Sequence, residues 1–167
     1  MGMIAVSISG FAKIGFRSSL ALQCLAIAAC APTEPLVYEP SGWMEDEGAW
    51  IAECAGTELR TYQKIIEDVS AQTFRLELEL VNRSGGMISV DEKSRLATGG
   101  GQYSGKIFRL FSPQGNTVAN EEYAEFAALF YLRATVREVL GDQIEIDFSM
   151  RQEDESAMPC SISLHRE

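Results

Sequence analysis

The chain has 167 residues, of which 46% are hydrophobic and 23% charged, and its formal net charge at pH 7 is -10. This length fits one domain that can bury a hydrophobic core. The excess of acidic residues excludes nucleic acid as a natural partner, because a polyanion would be repelled. It favours a cationic protein partner, or it serves only to keep the domain soluble.

The N-terminal segment predicts export. Lys13 and Arg17 precede an apolar run that ends at Cys30. The run is too short for a bilayer of about 30 Å, which needs roughly 20 apolar residues. Its last four residues, Ile27-Ala28-Ala29-Cys30, resemble the bacterial lipobox, in which the cysteine is lipidated and becomes the new N-terminus. An ordinary secretory signal is the alternative, and both interpretations place the protein outside the cytoplasm.

These signals divide the chain into three parts. We predict a lipoprotein signal peptide over 1–29, a lipidated Cys30 with a flexible tether over 30–48, and one domain over 49–167. Ala31, in the position after the cysteine, suggests sorting to the outer membrane of a bacterial envelope, with the domain facing the periplasm. Processing removes two positive charges and no negative ones, which takes the net charge from -10 to -12.

Two cysteines remain in the domain. Cys54 and Cys160 form a lone pair in an oxidising compartment, which predicts a structural disulfide that ties the first part of the domain to the last. A metal pair or a redox pair is the alternative. Either site would need further ligands or a partner cysteine, and the only histidine, His165, is remote in sequence from Cys54.

Alternating hydrophobicity predicts an all-β domain. Phe74, Leu76, Leu78 and Leu80 alternate with polar residues, and a turn at 82–86 predicts a hairpin with a returning strand at 87–90. Further along, 132–137 and 144–150 alternate in the same way and predict a second hairpin. Additional strands are expected at four places, namely 50–54, 58–64, 106–111 and 161–165. We therefore predict a small antiparallel barrel of about eight strands with one disulfide.

One segment is ambiguous. Asn120-Glu121-Glu122 is typical of a helix N-terminus, and Tyr123, Phe126 and Phe130 would then share one face. The same residues run directly into a strand pattern. We predict one short helix over about 121–128.

Catalytic constellations are sparse in the sequence. His165 lies two residues from the C-terminus, where it is a poor general base. Glu145 and Asp147 share a strand face, which is typical of a solvated surface, and 153–155 lacks the spacing of a calcium loop. We predict a protein that is not an enzyme, with no catalytic residue, no metal site and no cofactor.

A set of turns resembles a known family. The domain combines a cysteine and a turn in 50–59, a glycine-rich loop Leu96-Ala97-Thr98-Gly99-Gly100-Gly101-Gln102-Tyr103, a polar turn at 111–116 and the closing Cys160. With the lipobox, this order resembles the membrane-bound inhibitors of c-type lysozyme found in bacteria. The resemblance covers about residues 49–118 and Cys160.

The resemblance implies a small antiparallel barrel whose loops enter the lysozyme cleft. In that family a serine and a lysine bond the two catalytic carboxylates, and here those positions hold Gly99 and Gln114. The residues expected to bind the partner are Thr98, Gly99, Gly100, Gly101, Gln102, Tyr103, Pro113, Gln114 and Gly115.

Two function classes follow. The first is a lipid-anchored inhibitor of c-type lysozyme, or of another cationic envelope or host protein. The second is a structural or assembly lipoprotein that binds another component of the envelope without inhibiting any enzyme.

Overall fold

The computed structural model describes residues 34–111, 115–153 and 157–167. These residues form thirteen strands and one helical turn, α1 (Val136–Val139). The strands are β1 (Leu36–Pro40), β2 (Met44–Asp46), β3 (Ala49–Cys54), β4 (Thr57–Thr61), β5 (Lys64–Ile66), β6 (Thr73–Asn82), β7 (Ile88–Val90), β8 (Lys93–Thr98), β9 (Gly101–Arg109), β10 (Thr117–Val118), β11 (Tyr123–Tyr131), β12 (Gln143–Gln152) and β13 (Met158–Arg166).

All thirteen strands belong to one antiparallel sheet. Hydrogen bonding gives the order β2-β3-β4-β6-β11-β9-β8-β12-β13-β1-β5, and β7 pairs with both β10 and β12. The sheet curls into a half-barrel around a single core. The prediction of an all-β antiparallel fold is confirmed, although the described residues hold more strands than the eight expected. Residues 34–167 form one compact unit.

The disulfide between Cys54 and Cys160 is confirmed, and it shows how strongly the sheet curls. β3 and β13 are seven steps apart in the strand order. At about 4.8 Å between neighbouring strands, a flat sheet would separate them by about 34 Å. The Cα atoms of the two cysteines are 6.0 Å apart. The sheet must therefore turn back on itself to bring β3 against β13.

The core lies inside this curl, and the two clearest alternating patterns supply much of it. On β6 and β12 the predicted inward positions are all buried: Phe74, Leu76, Leu78, Leu80, Ile144, Ile146, Phe148 and Met150. The period of two puts one face of each strand in the core and the other in water. Both strands, and the face of each, were thus predicted correctly.

One glycine in β9 makes room for an aromatic side chain of the core. Gly105 is directly opposite Phe130 on β11, and a Cβ atom at Gly105 would overlap the Phe130 ring. Phe130 in turn lies against Phe74, with ring centroids 6.3 Å apart. An aromatic residue covering a glycine on the neighbouring strand fills the space that the missing side chain leaves.

The helix predicted over 121–128 is wrong, because Tyr123–Tyr131 is strand β11. Phe126, Ala127 and Ala128 are consecutive and all buried. Ala127 is an outward position, but its small side chain is covered by neighbouring residues on β6 and β9. The alternation is interrupted there, and the apolar residues fit a helical period equally well.

Among the described residues, the one helical turn follows strand β11 and is α1. α1 follows Thr135, whose backbone N–H donates to the Glu138 carboxylate at 3.0 Å. This is the reciprocal contact of a capping box, in which a Ser or Thr is followed three residues later by Glu or Gln. The strand predicted over 132–137 is therefore wrong. The sequence contains this Thr-x-x-Glu pattern, but the alternating hydrophobicity of 132–137 favours a strand there.

Neither predicted hairpin forms. β6 pairs with β4 and β11, while β7 pairs with β10 and β12. β12 pairs with β13, β8 and β7, and not with 132–137. In both cases the chain leaves one strand and crosses to another part of the sheet. A turn signal marks where a strand ends, but it does not say which strand the chain joins next.

The tether predicted over 30–48 is too long. Leu36 and Tyr38 on β1 are 2% and 0% exposed, and β1 pairs with both β13 and β5. The Tyr38 hydroxyl also donates to the Gly141 carbonyl at 2.8 Å. The short alternation in Leu36-Val37-Tyr38 was concealed by the prolines on either side. Cys30 and the signal peptide lie outside the described residues.

In the described part of the chain, no helix has the length and apolar character needed to cross a membrane.

Removing the disulfide should destabilise the fold, because the unfolded chain is then no longer restricted by a cross-link. A Cys54→Ala/Cys160→Ala variant should lose about 2–5 kcal/mol of unfolding free energy, because the cysteines close a loop with a sequence separation of 106. Urea unfolding of residues 34–167 measures this. The parent protein unfolded in reductant should match the variant, and an unchanged urea midpoint would contradict the prediction.

Candidate functional site

The glycine-rich loop is the tip of the β8–β9 hairpin. Thr98 is opposite Gly101 in the strand register, which leaves Gly99 and Gly100 as a two-residue turn. Gly99, Gly100, Gly101 and Gln102 are exposed. The tip is therefore narrow and carries no side chain at its two central positions.

The tip is held in place by the end of α1. The Thr98 hydroxyl donates to the Val139 carbonyl at 2.6 Å and accepts from the Gly100 N–H at 3.0 Å. A Cβ atom at Gly100 would lie 2.5 Å from the Val139 carbonyl oxygen. Glycine is required there because the two backbones approach so closely. The contact with α1 fixes the direction in which the tip points.

Tyr103 has a structural position. Its side chain is 8% exposed and belongs to the core. Its hydroxyl donates to the Gly100 carbonyl at 3.3 Å, within the same hairpin. The polar groups that the tip leaves for a partner are the backbone around Gly99 and the side-chain amide of Gln102.

A shallow groove of about 480 Å³ lies beside the tip on the outer face of the sheet. Ala97 on β8, Glu145 on β12 and Ser163 on β13 are neighbours across the strands. The small side chains of Ala97 and Ser163 leave space over the strands. Glu145 supplies a carboxylate and His165 an imidazole at the groove wall. The groove is polar and open, which suits a cationic side chain of a protein partner.

Of the second predicted contact loop, Gly115 is described, while Pro113 and Gln114 lie outside the described residues. Gly115 is exposed, has a left-handed backbone with φ 67° and precedes Asn116, whose side chain accepts a hydrogen bond from the Arg109 N–H. Gly101 and Arg109 are the two ends of β9. At about 3.3 Å per residue, eight steps along a strand separate them by up to roughly 26 Å. The structure does not bring Gly115 to the β8–β9 tip.

Sequence reasoning missed a polar cluster centred on Asn82. This residue is 0% exposed. Its amide nitrogen donates to the carbonyls of Gly86 and Val118 at 2.8 and 2.9 Å, and its amide oxygen accepts from the N–H and hydroxyl of Ser84. Asn82 opens an Asn-x-Ser glycosylation motif by pattern, but its amide nitrogen is buried and fully used.

A largely buried arginine side chain holds the segment between β9 and β11 in place. The Arg109 guanidinium donates to the Thr117 carbonyl and to the Glu122 carboxylate, the latter at 2.5 Å. This hydrogen bond, with a second from the Ala119 N–H, lowers the pKa of Glu122 below its ordinary value. Only 10% of the Arg109 side chain is exposed. Arg109 therefore has a structural role, although the sequence gives no signal for it.

The acidic residues that share the outer face of β12 are separately engaged. Asp147 pairs with Arg95 at 2.5 Å, and Glu145 accepts a hydrogen bond from the Ser161 hydroxyl at 3.3 Å. Among residues 34–111, 115–153 and 157–167, no group of three or more His, Cys, Asp or Glu side chains is placed to hold a metal ion.

Comparison of the chain with protein-family models, with curated proteins and with solved structures found no match.

The buried amide of Asn82 should contribute strongly to stability. Asn82→Ala removes the side-chain hydrogen bonds to the Gly86 and Val118 carbonyls and from the Ser84 N–H, so we expect a loss of about 2–4 kcal/mol of unfolding free energy. Asn120→Ala is the matched control, because its exposed side chain accepts a single hydrogen bond from Gly85. Urea unfolding should show a change below about 1 kcal/mol for the control. Equal effects of the two substitutions would contradict the assignment.

The two tip glycines should respond differently to substitution. Gly100→Ala forces the new methyl group against the Val139 carbonyl and should destabilise the protein by about 1–3 kcal/mol. Gly99→Ala places its methyl group in open space and should change stability by less than about 0.5 kcal/mol. Thermal unfolding of both variants measures the difference, and a tolerated Gly100→Ala would show that the tip is not held by α1.

Proposed function

We propose that this chain is a lipid-anchored protein of the bacterial cell envelope that binds a cationic protein, and that c-type lysozyme is this partner. The observation that carries the proposal is the β8–β9 tip, which is exposed yet fixed against α1. A preorganised tip loses little conformational freedom on binding, which favours affinity. Its narrow two-glycine turn suits insertion into a cleft.

The tip offers donors to the carboxylates of an enzyme cleft. Gly99 is exposed and has no side chain, so a partner can approach the backbone there closely, and the exposed Gln102 amide carries two N–H donors. Hydrogen bonds from such groups to a carboxylate are charge-assisted. These contacts take the place of the serine and lysine in the family that the sequence resembles.

Electrostatics support a cationic partner. A net charge of -12 on the processed chain attracts a basic protein over several ångströms and raises the rate of encounter. Glu145 stands in the groove directly beside the tip. The disulfide supports a location outside the cytoplasm, because such bonds persist in oxidising compartments.

An assembly role in the envelope is the second candidate. It is favoured by exposed aromatic side chains on the outside of the domain, notably Phe111 at 95% and Tyr131 at 71%. An aromatic side chain can anchor a protein interface where it fills a pocket of the partner. In this case the sheet surface would bind another envelope protein, and lysozyme activity would be unaffected.

A lysis assay separates the two candidates. Residues 34–167 with the disulfide intact are added to cell-wall suspensions and c-type lysozyme. The inhibitor proposal predicts stoichiometric inhibition that weakens with rising salt, because screening shortens the reach of the acidic surface. No inhibition at micromolar excess would reject the inhibitor proposal and favour the assembly role.

Two charge-matched variants test the tip itself. A Cβ atom at Gly99 meets no other atom within 4 Å, so Gly99→Glu should fold like the parent, and it places a carboxylate against the carboxylates of the cleft. We expect inhibition to weaken at least about tenfold, equivalent to about 1.4 kcal/mol. Ala119→Glu adds the same charge at an exposed position in the loop between β10 and β11, away from the tip, and should inhibit like the parent. Equal effects of the two substitutions would mean that net charge, and not the tip, governs binding.

A further inference from the structure

Two pairs of like charges face each other on the outer face of the sheet. Glu79 on β6 is directly opposite Glu125 on β11, and Lys93 on β8 is directly opposite Lys106 on β9. Like charges at directly opposite positions destabilise a sheet. The fold therefore carries two unfavourable pairs on one surface, formed by the four adjacent strands β6, β11, β9 and β8.

Glu79 has a cation directly opposite it on its other side, Arg60 on β4, but the Arg60 guanidinium is already paired with the Glu58 carboxylate. In the described part of the chain, no ion pair within 4 Å involves any of the four charged side chains. The two carboxylates instead accept hydrogen bonds from tyrosine hydroxyls, at 3.2 Å in each case, from Tyr62 to Glu79 and from Tyr123 to Glu125. Burial raises the pKa of Tyr123, and the neighbouring Glu79 and Glu125 raise it further.

An apolar pair lies midway between the two charged pairs. Ala127 on β11 and Phe108 on β9 are directly opposite each other. Ala127 is two residues beyond Glu125 along β11, and Phe108 is two residues beyond Lys106 along β9. With strands about 4.8 Å apart and about 3.3 Å per residue, the centres of the charged pairs are about 16 Å apart. The Ala127–Phe108 pair lies at the midpoint of that separation.

The centre of this surface is uneven. Phe108 is 39% exposed, whereas the adjacent Ala127 is fully buried and forms a shallow floor beside the ring. Leu129 lies next to them, and the exposed Tyr123 and Tyr131 stand at the two ends of β11. An apolar centre with tyrosines towards its edge is typical of protein interfaces.

We propose that this face binds a second copy of the same chain. We call it the bipolar face, defined by Glu79, Glu125, Ala127, Phe108, Lys93 and Lys106. A twofold axis that lies in the interface, passes between Ala127 and Phe108 and runs perpendicular to the line joining the two charged pairs brings the acidic pair of each copy onto the basic pair of the other. Both unfavourable pairs are then neutralised at once, and the contact is self-complementary as a closed dimer requires.

A partner whose surface carries charges of only one sign fits the bipolar face less well. A basic protein would match Glu79 and Glu125 but would be repelled by Lys93 and Lys106, and an acidic partner would meet the reverse. The second copy carries both signs in the required arrangement. The β8–β9 tip lies five residues beyond Lys93 on β8, so the dimer leaves the tip open.

The first test is the oligomeric state of residues 34–167 by sedimentation velocity. We expect a reversible monomer–dimer equilibrium at micromolar concentration that shifts to monomer as salt rises, because exposed ion pairs are screened. A monomer at all concentrations up to the millimolar range in low salt would overturn the proposal.

Charge-swapped variants give the decisive test. Lys93→Glu/Lys106→Glu makes the bipolar face entirely acidic, and Glu79→Lys/Glu125→Lys makes it entirely basic. Lys93→Glu/Lys106→Glu keeps like charges opposite like charges, so its thermal unfolding should match that of the parent. Glu79→Lys/Glu125→Lys also loses the hydrogen bonds from Tyr62 and Tyr123, so its thermal midpoint should fall while the protein stays folded at the assay temperature. Each alone should dimerise at least about tenfold more weakly than the parent. A 1:1 mixture should form a heterodimer with an affinity close to that of the parent dimer.

The outcomes separate this inference from the proposed function. Variants that dimerise like the parent, or a mixture that remains monomeric, would overturn the bipolar face as the interface. Phe108→Ser is a further variant that leaves the charges unchanged and should weaken the dimer. Lysozyme inhibition is measured on Phe108→Ser, which leaves the net charge and the tip unchanged, and it should match that of the parent although the dimer is weaker.

Discussion

The disulfide between Cys54 and Cys160 joins two strands that the hydrogen-bonded order of the sheet places seven steps apart. This closure is possible only because the sheet twists and curls, and curling puts one face of every long strand inside. The core, the direction of the hairpin tip and the outer face all depend on that geometry. A flat sheet of the same strands would leave its apolar face in water and the two cysteines out of reach.

The curl also explains why single small or polar residues matter at particular places. Gly105 leaves room for Phe130 because the inside of a curled sheet is crowded. Asn82 satisfies carbonyls that converge at the end of β6, where several connections meet and no strand supplies the hydrogen bonds. Thr98 and Gly100 tie the hairpin tip to the end of α1. In each case a local contact fixes the course of a connection between distant strands.

Residues on the outer face of the sheet are not constrained by core packing, so they are available to contact a partner. Its strands bring together residues remote in sequence, such as Glu79 with Glu125 and Lys93 with Lys106. The acidic character of the whole chain conceals this arrangement, since the basic pair is visible only once β8 and β9 are placed side by side. The tip and the bipolar face are separate surfaces, so binding a partner and self-association are compatible in one small domain.

The sequence by itself determined the all-β class, the inward faces of β6 and β12 and the disulfide, because a period of two and a lone pair of cysteines are local or compositional facts. Only the tertiary structure decided which strands pair. β6 joins β4 and β11 instead of the segment that follows its turn, and β11 is a strand whose covered centre imitates a helix. It also placed Gly115 at the end of β9 opposite to the β8–β9 tip. Strand pairing is a long-range choice made by burial and curl, and no local pattern contains it.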